Sequence, residues 1–304
     1  MNSVILDTDM GVDCDDAAAL GLLLNEQKQG KCKIAAITAS TTRKGAVATI
    51  NTILKYYHEP EIPVGVLKGE PLACDSVNNY ALAVLEKYQE SDEAQDATNL
   101  LRFTLANAKE KMDVIAVGPL TNIKNLLQSQ ADGISPLSGI ELVRQKVRKL
   151  YLMGGVFAEN YQNGGQIFTE WNIQQDIQAA RYVAEHFPCE MLYSPFEIGQ
   201  RVKTKMQNSD NPVWFCMKSF AIAGGNDYQP AFYRSSWDPV TCLVATREES
   251  ELFSYSPYGT IRIDEKGYTH FIKDSGEAGK HRFMLVNDRL PEVERLINES
   301  IEKR

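Results

Sequence analysis

The sequence predicts an α/β fold: one domain over 1–304, a mostly parallel open sheet with helices on both faces, and an antiparallel hairpin extension near the C-terminus. Three observations carry this. Short apolar runs recur, and helical patterns follow them. The runs are nearly continuous in apolar residues, as strands buried on both faces must be. One late segment instead alternates apolar and polar with period two.

The elements follow in order. "SVILD" reads as a buried strand and "DDAAALGLLLNEQ" as its helix. "KIAAITAS" is the second strand, followed by the helix "AVATINTILKYYHE". "IPVGVL" is a short third strand, with helical stretches around Tyr80–Tyr88 and Asp96–Lys109. "MDVIAVG" then "LTNIKNLLQ", and "KLYLMGG" then "DIQAARYVAEHF", repeat the strand–helix theme, and "CEMLYSP" adds another strand. "GTIRIDEKGYTHFIKD" carries the alternation around a Lys-Gly turn, and the helix "PEVERLINESIEK" closes the chain. No repeat, low-complexity linker or composition shift marks a boundary inside the 304 residues.

Hydrophobic content of 43% and charged content of 24% suit a globular enzyme with a large core. A net charge of -8 runs against nucleic-acid binding, which calls for a basic face, and against docking to an anionic membrane. It suits a small neutral substrate, or an acidic cluster that takes a cation. The six cysteines form no C-x-x-C pair, which argues against a zinc knuckle. The N-terminus lacks a basic, then apolar, signal pattern, and no apolar run approaches the ~20 residues of a membrane span. The expectation is a reduced, cytoplasmic protein.

The unusual residues sit where the apolar runs end. Asp7 and Asp9 follow the first, Thr38 to Thr42 the second, Gly118 to Asn122 the run "MDVIAVG", and Met153-Gly154-Gly155 close "KLYLMGG". In a parallel sheet these ends share one edge, where open α/β folds bind ligands. Asp7, Asp9, Asp13, Asp15 and Asp16 crowd into ten residues. One or two acids would serve to cap the following helix. Five repel one another unless a cation neutralises them, and oxygen-only ligands suit calcium or magnesium. The spacing is not that of an EF-hand, because the twelfth position counted from Asp7 is Ala18. A second cluster, Asn163, Glu170 and Asn172, has the acid and amide groups that bind vicinal hydroxyls in pairs, with helix capping by Asn172 or Thr169 as the alternative. In "YRSSWDPVTCLVA", Asp238 precedes a proline in the pattern of a helix N-cap, and Trp237 beside it suits either packing or stacking on a planar group.

Together "DTDMGVDCDDAAAL", "VIAVGPLTNI", "YLMGG", "TEWNIQQDIQAA" and "SWDPVT" resemble, in order and spacing, the inosine-uridine-preferring nucleoside hydrolases over nearly the whole chain. The resemblance implies a calcium-dependent ribohydrolase acting on a nucleoside, and dimers or tetramers as the assembly. It implies that Asp9 binds the metal and serves as general base. It implies further ligands at Asp16, at the Thr121 backbone carbonyl and at Asp238. Glu170 and Asn172, with Asn163, would grip the sugar, and Met153, Trp237 and Thr42 would line the substrate site. Two extra residues in "DTDMGVDCDDA" leave either Asp13 or Asp15 as the ribose-binding aspartate, with Asp13 favoured. Where the family often has Gly-Asn this chain reads "TASTTRKG", and where some members have a histidine it has Trp237. His58, His186, His270 and His281 all lie away from the strand ends that form the site. Trp237, Tyr228, Tyr233 and Phe168 are the candidates for stacking on a leaving base.

Two rival readings stand beside this one. A riboside-binding protein without catalysis would keep the same acids. A D-x-D phosphatase would leave "TEWNIQQD" without a role.

Overall fold

A computed structural model describes residues 2–76, 80–160, 167–206, 209–224, 232–273 and 279–302. Its strands are β1 Asn2–Thr8, β2 Cys32–Ala39, β3 Val64–Val66, β4 Gln95–Asp96, β5 Met112–Ala116, β6 Val147–Met153 and β7 Glu190–Ser194. They continue as β8 Lys203–Met206, β9 Phe232–Ser235, β10 Ser254–Tyr255, β11 Gly259–Ile263, β12 Thr269–Lys273 and β13 His281–Leu285. The main sheet runs β12-β11-β13-β7-β6-β5-β1-β2-β3-β4, with β10 beside β13, while β8 and β9 pair separately. From β13 to β4 every pairing is parallel. β1 lies between β2 and β5, in the middle of this run.

The central strands divide their apolar residues between two cores. Val4, Leu6, Ile115, Tyr151 and Leu192 face one core; Ile5, Val114, Leu150, Leu152 and Met191 face the other. This period-two division explains why the runs read as continuously apolar: both faces are covered. Helix Asp15–Lys28 is buried from Asp15 to Glu26, because helices Trp237–Arg247, Leu290–Glu302 and Ala46–Tyr56 pack around it. That burial accounts for a leucine- and alanine-rich helix with no polar stripe.

The predicted hairpin forms as β11 and β12, in register from Gly259↔Lys273 to Ile263↔Thr269. Asp264 accepts from the amides of Lys266 and Tyr268 in its turn, and Gly267 supplies the positive φ of 85°. The hairpin does not join the parallel strands directly. β13, which the sequence reading passed over, pairs antiparallel with β11 and parallel with β7. Helices Gly139–Lys146 and Pro212–Ala223 were also passed over. The first carries an S-x-x-E capping box, Ser138 with Glu141, which was a legible start signal. Asp7, expected after the first strand, lies within β1, where Thr38 and Asn122 donate to its carboxylate at 2.5 and 2.8 Å.

Candidate active site

Two helices start side by side at the carboxyl edge of the sheet. Asp15 and Asp16 occupy the first turn of helix Asp15–Lys28, and Asp238 the first turn of helix Trp237–Arg247. These helices pack against each other. One carboxylate oxygen from each of the three acids lies within 4.8 Å of the others, and all three residues are buried. The positive ends of two helix dipoles favour this gathering of negative charge. The Asp238 amide donates to Asp15 Oδ2 at 3.1 Å, so an acid of one helix satisfies a free N–H of the other. Thr8, the last residue of β1, donates its hydroxyl to Asp16. Asp238 is thus not the N-cap its sequence suggested: Ser236 holds that position, and Asp238 stands inside the helix.

Asp9 follows directly from β1. Its backbone carbonyl accepts from the Arg43 guanidinium at 3.4 Å. Gly118, just past β5, lets the chains close here. A Cβ at that position would lie 2.8 Å from Asp9 Oδ1 and 2.6 Å from Ser40 Oγ. Any side chain would therefore displace the acid.

A cavity of about 330 Å³ opens over these residues. Its lining includes the acids Asp9, Asp13, Asp15, Asp16, Asp238 and Glu170 and the amide of Asn172, together with Trp171, Phe196, Phe220, Trp237 and Arg234. Glu170 caps the short helix Trp171–Gln175, accepting from the amides of Asn172 (2.9 Å) and Ile173 (3.2 Å). The cap belongs to Glu170, not to Asn172 or Thr169. Asn172 bridges two strand ends, donating to the carbonyl of Val117 at 2.9 Å and to Met153, whose carbonyl lies at 3.3 Å. Met153 also lines the cavity.

The electrostatics follow from burial. Loss of water pushes Asp9 up to about 7; Arg43 works against this, and Asp13 and Glu170 add to it. Burial first, then Asp9 and Asp15, raises Asp16 well above the carboxylate range. Burial, then Asp15, Asp16 and Asp9, does the same to Asp238. Asp15 is raised too, by burial and Asp13, with Arg234 opposing. Burial takes Glu170 up to about 7. Such a set of buried, mutually repelling oxygen donors fits a hard divalent cation.

Asp13 lines the cavity as expected, and there it is clamped by Arg234, whose Nε lies 2.8 Å from Oδ1 and whose Nη2 also reaches its carboxylate. Asp15 joins Asp16 and Asp238 in the acid cluster, and Asp13 and Asp15 both line the cavity. Other expected residues fall elsewhere. Thr121 is not among the lining residues: it opens helix Thr121–Gln128 and donates its hydroxyl to Asp176 at 2.8 Å. Val117 is the residue of that segment that reaches the cavity, because it sits at the strand end and Thr121 one turn later. Thr42 turns away to Asp75, which accepts from its hydroxyl at 2.7 Å and from its amide at 2.9 Å. Asn163 and Tyr228 lie outside the described residues. Phe168 packs edge-on against Phe196, and Tyr233 is exposed, so neither lines the cavity; Trp237 does, stacked on Phe196. None of the four histidines lines it.

Sequence reasoning missed Val117, Trp171, Phe196, Phe220 and Arg234. Trp171 sits beside Glu170 in a motif already singled out. Arg234 gave no signal, since its partner Asp13 lies 221 positions away.

An open sheet with a long parallel run and buried acids clustered at its carboxyl edge defines an α/β protein of the class whose ligand sites lie at the strand ends, with donors that could hold a metal ion. The chain belongs to the family described as "Inosine-uridine preferring nucleoside hydrolase", whose model matches residues 4–288. Among curated proteins it is similar to the "Non-specific ribonucleoside hydrolase RihC" of Salmonella paratyphi A, 29% identical over 191 residues. That match covers 59% of this chain and 57% of the relative's length. Among solved structures, a plant nucleoside hydrolase, PpNRh1, superposes with a TM-score of 0.74 at 20% identity, covering 100% of this chain and 99% of its own. The inosine-uridine preferring nucleoside hydrolase from Bacillus anthracis gives 0.67 at 17% identity, covering 98% and 100%. At such identities the two structures speak for the fold.

Proposed function

We propose that this chain hydrolyses the N-glycosidic bond of ribonucleosides, giving free base and ribose, with calcium as its metal. The observation that carries this reading is the mixed lining of the cavity, which brings buried acids and an amide together with flat aromatic rings. A nucleoside calls for both, since it joins a hydroxylated sugar to a planar base.

Asp9, Asp15, Asp16 and Asp238 would hold the cation, with the Val117 carbonyl beside them. A bound calcium would lower the pKa of a coordinated water and polarise the ribose hydroxyls. Asp9 accepts the proton as water attacks the anomeric carbon. The C–N bond breaks through an oxocarbenium-like state, and its electron pair leaves with the base. Glu170 and Asn172, both fixed by hydrogen bonds to the strand ends and helix start, orient the sugar so that little ordering remains for the reaction itself. Direct attack gives inversion at the anomeric carbon.

The test is release of reducing sugar from inosine, uridine, cytidine, adenosine and guanosine, with calcium and after chelation. Calcium-dependent ribose release supports the reading. Full activity in excess chelator, or a product of retained configuration, contradicts it. One observation favours a second reading, a riboside-binding protein without turnover: no histidine lines the cavity to protonate a leaving base. Saturable nucleoside binding without any single-turnover ribose release would select that alternative.

A further inference from the structure

The lining of the cavity contains a side chain that the mechanism above leaves without a role. Arg234, on β9, lines the aromatic wall and is only partly buried, with 31% of its side chain exposed. Its guanidinium carbon lies 5.0 Å from the centre of the Phe220 ring and 5.1 Å from that of Trp237. Nε and Nη2 are both given to Asp13. Among the described residues, Nη1 has no hydrogen-bond partner.

This is an oriented donor rather than a tether for Asp13. The two-point clamp to a carboxylate and the flanking rings fix the guanidinium plane. Arg234 lines the same cavity as the acids, and it is close enough for its charge to act on Asp15. A base leaving with the C–N electron pair delocalises negative charge onto its ring nitrogens and any exocyclic oxygen. Purines with a 6-oxo group present two acceptors on one edge, the oxygen and N7, whereas adenine presents an amino donor beside N7.

Building on the nucleoside reading, we propose that Arg234 is the residue that meets the departing base, donating from Nη1 to an oxo oxygen. It thereby selects oxo-bearing bases over adenine. The guanidinium keeps its proton throughout. It stabilises the anion by hydrogen bonding, and solvent water supplies the proton that finally neutralises the base. Asp13 is then a positioning residue, which holds the guanidinium but does not touch substrate.

The test compares kcat/KM on inosine, adenosine and 4-nitrophenyl riboside for wild type, Arg234→Gln and the charge-balanced pair Asp13→Asn with Arg234→Gln. Nitrophenolate leaves without a hydrogen-bond donor. Both variants should lose about 100-fold on inosine, the usual cost of removing one such donor. They should lose less than about threefold on the nitrophenyl riboside, and the preference for inosine over adenosine should collapse. An equal loss on all three substrates in the charge-balanced pair would make Arg234 merely structural and overturn the proposal. So would unchanged selectivity. Wild-type protein inactive on all three would overturn the underlying nucleoside reading as well, so the two failures are distinguishable.

Discussion

Replacing Asp9 with alanine removes a carboxylate that burial already holds near neutrality. Ribose release should fall by at least the ~10²–10⁴-fold attached to a general base, while the melting temperature stays the same or rises, since a poorly solvated acid is gone. More than about a tenth of wild-type kcat in Asp9→Ala would contradict the base role. Gly118→Ala tests the same acid from the other side. Its methyl would meet Asp9 Oδ1 and Ser40 Oγ inside contact distance. A shift of the acid by about 1 Å should cost on the order of 100-fold in kcat. Wild-type turnover in that variant would show that the acid's position is not critical. At this scale the sequence was most legible where a role depends on the type of side chain and sits in a local motif. Asp16, Glu170, Asn172 and Asp238 stood in such motifs, and the structure brings them to one cavity. It was least legible where the role is a backbone atom or a distant partner. Val117 reaches the cavity through its place at the strand end, which Thr121, a better-looking residue, does not share. Asp13, favoured over Asp15 for the sugar, lines the cavity with its carboxylate held by Arg234, a partner 221 positions away.

At the scale of elements, the site depends on the ends of β1, β2, β5 and β6 staying in step. Asn122 is one of the ties. Its amide donates to Asp7 Oδ1 on β1 at 2.8 Å and to the Ala39 carbonyl on β2 at 3.1 Å, all fully buried. Asn122→Ala leaves two buried acceptors without that donor and should destabilise the fold by about 1–3 kcal/mol in a denaturant melt. A change under about 0.5 kcal/mol would mean that the strand ends hold without it. The parallel strands were readable because two covered faces leave an unmistakable apolar run. β13 was not, since His281–Leu285 is short and its pairing with both β7 and β11 is a property of the sheet, not of the segment. β8 and β9 were missed for the same reason: Thr204 and Arg234 pair across a long sequence gap.

Over the whole molecule, the buried acids couple stability to pH and, under the proposed calcium reading, to the cation. Burial raises Asp7, Asp9, Glu170 and Glu197 to about 7 from ordinary values of 3.8 or 4.5. The folded chain therefore binds more protons than the unfolded one between these limits. The associated stability is fully present below the ordinary carboxylate pKa and is lost as pH rises through about 7. The melting temperature of chelator-treated protein should fall between about pH 5 and pH 8, and the gain on adding calcium should grow over the same interval. A metal-free melting temperature that rises over that interval would contradict this balance.

The central claim, that these acids surround a cation, is tested most directly by calorimetric titration of calcium into chelator-stripped protein near pH 6.5, repeated in two buffers of different ionisation enthalpy. The account predicts one calcium per chain and release of protons on binding, because acids held protonated by burial must ionise to become ligands. No saturable heat, or binding that releases no proton, would contradict it.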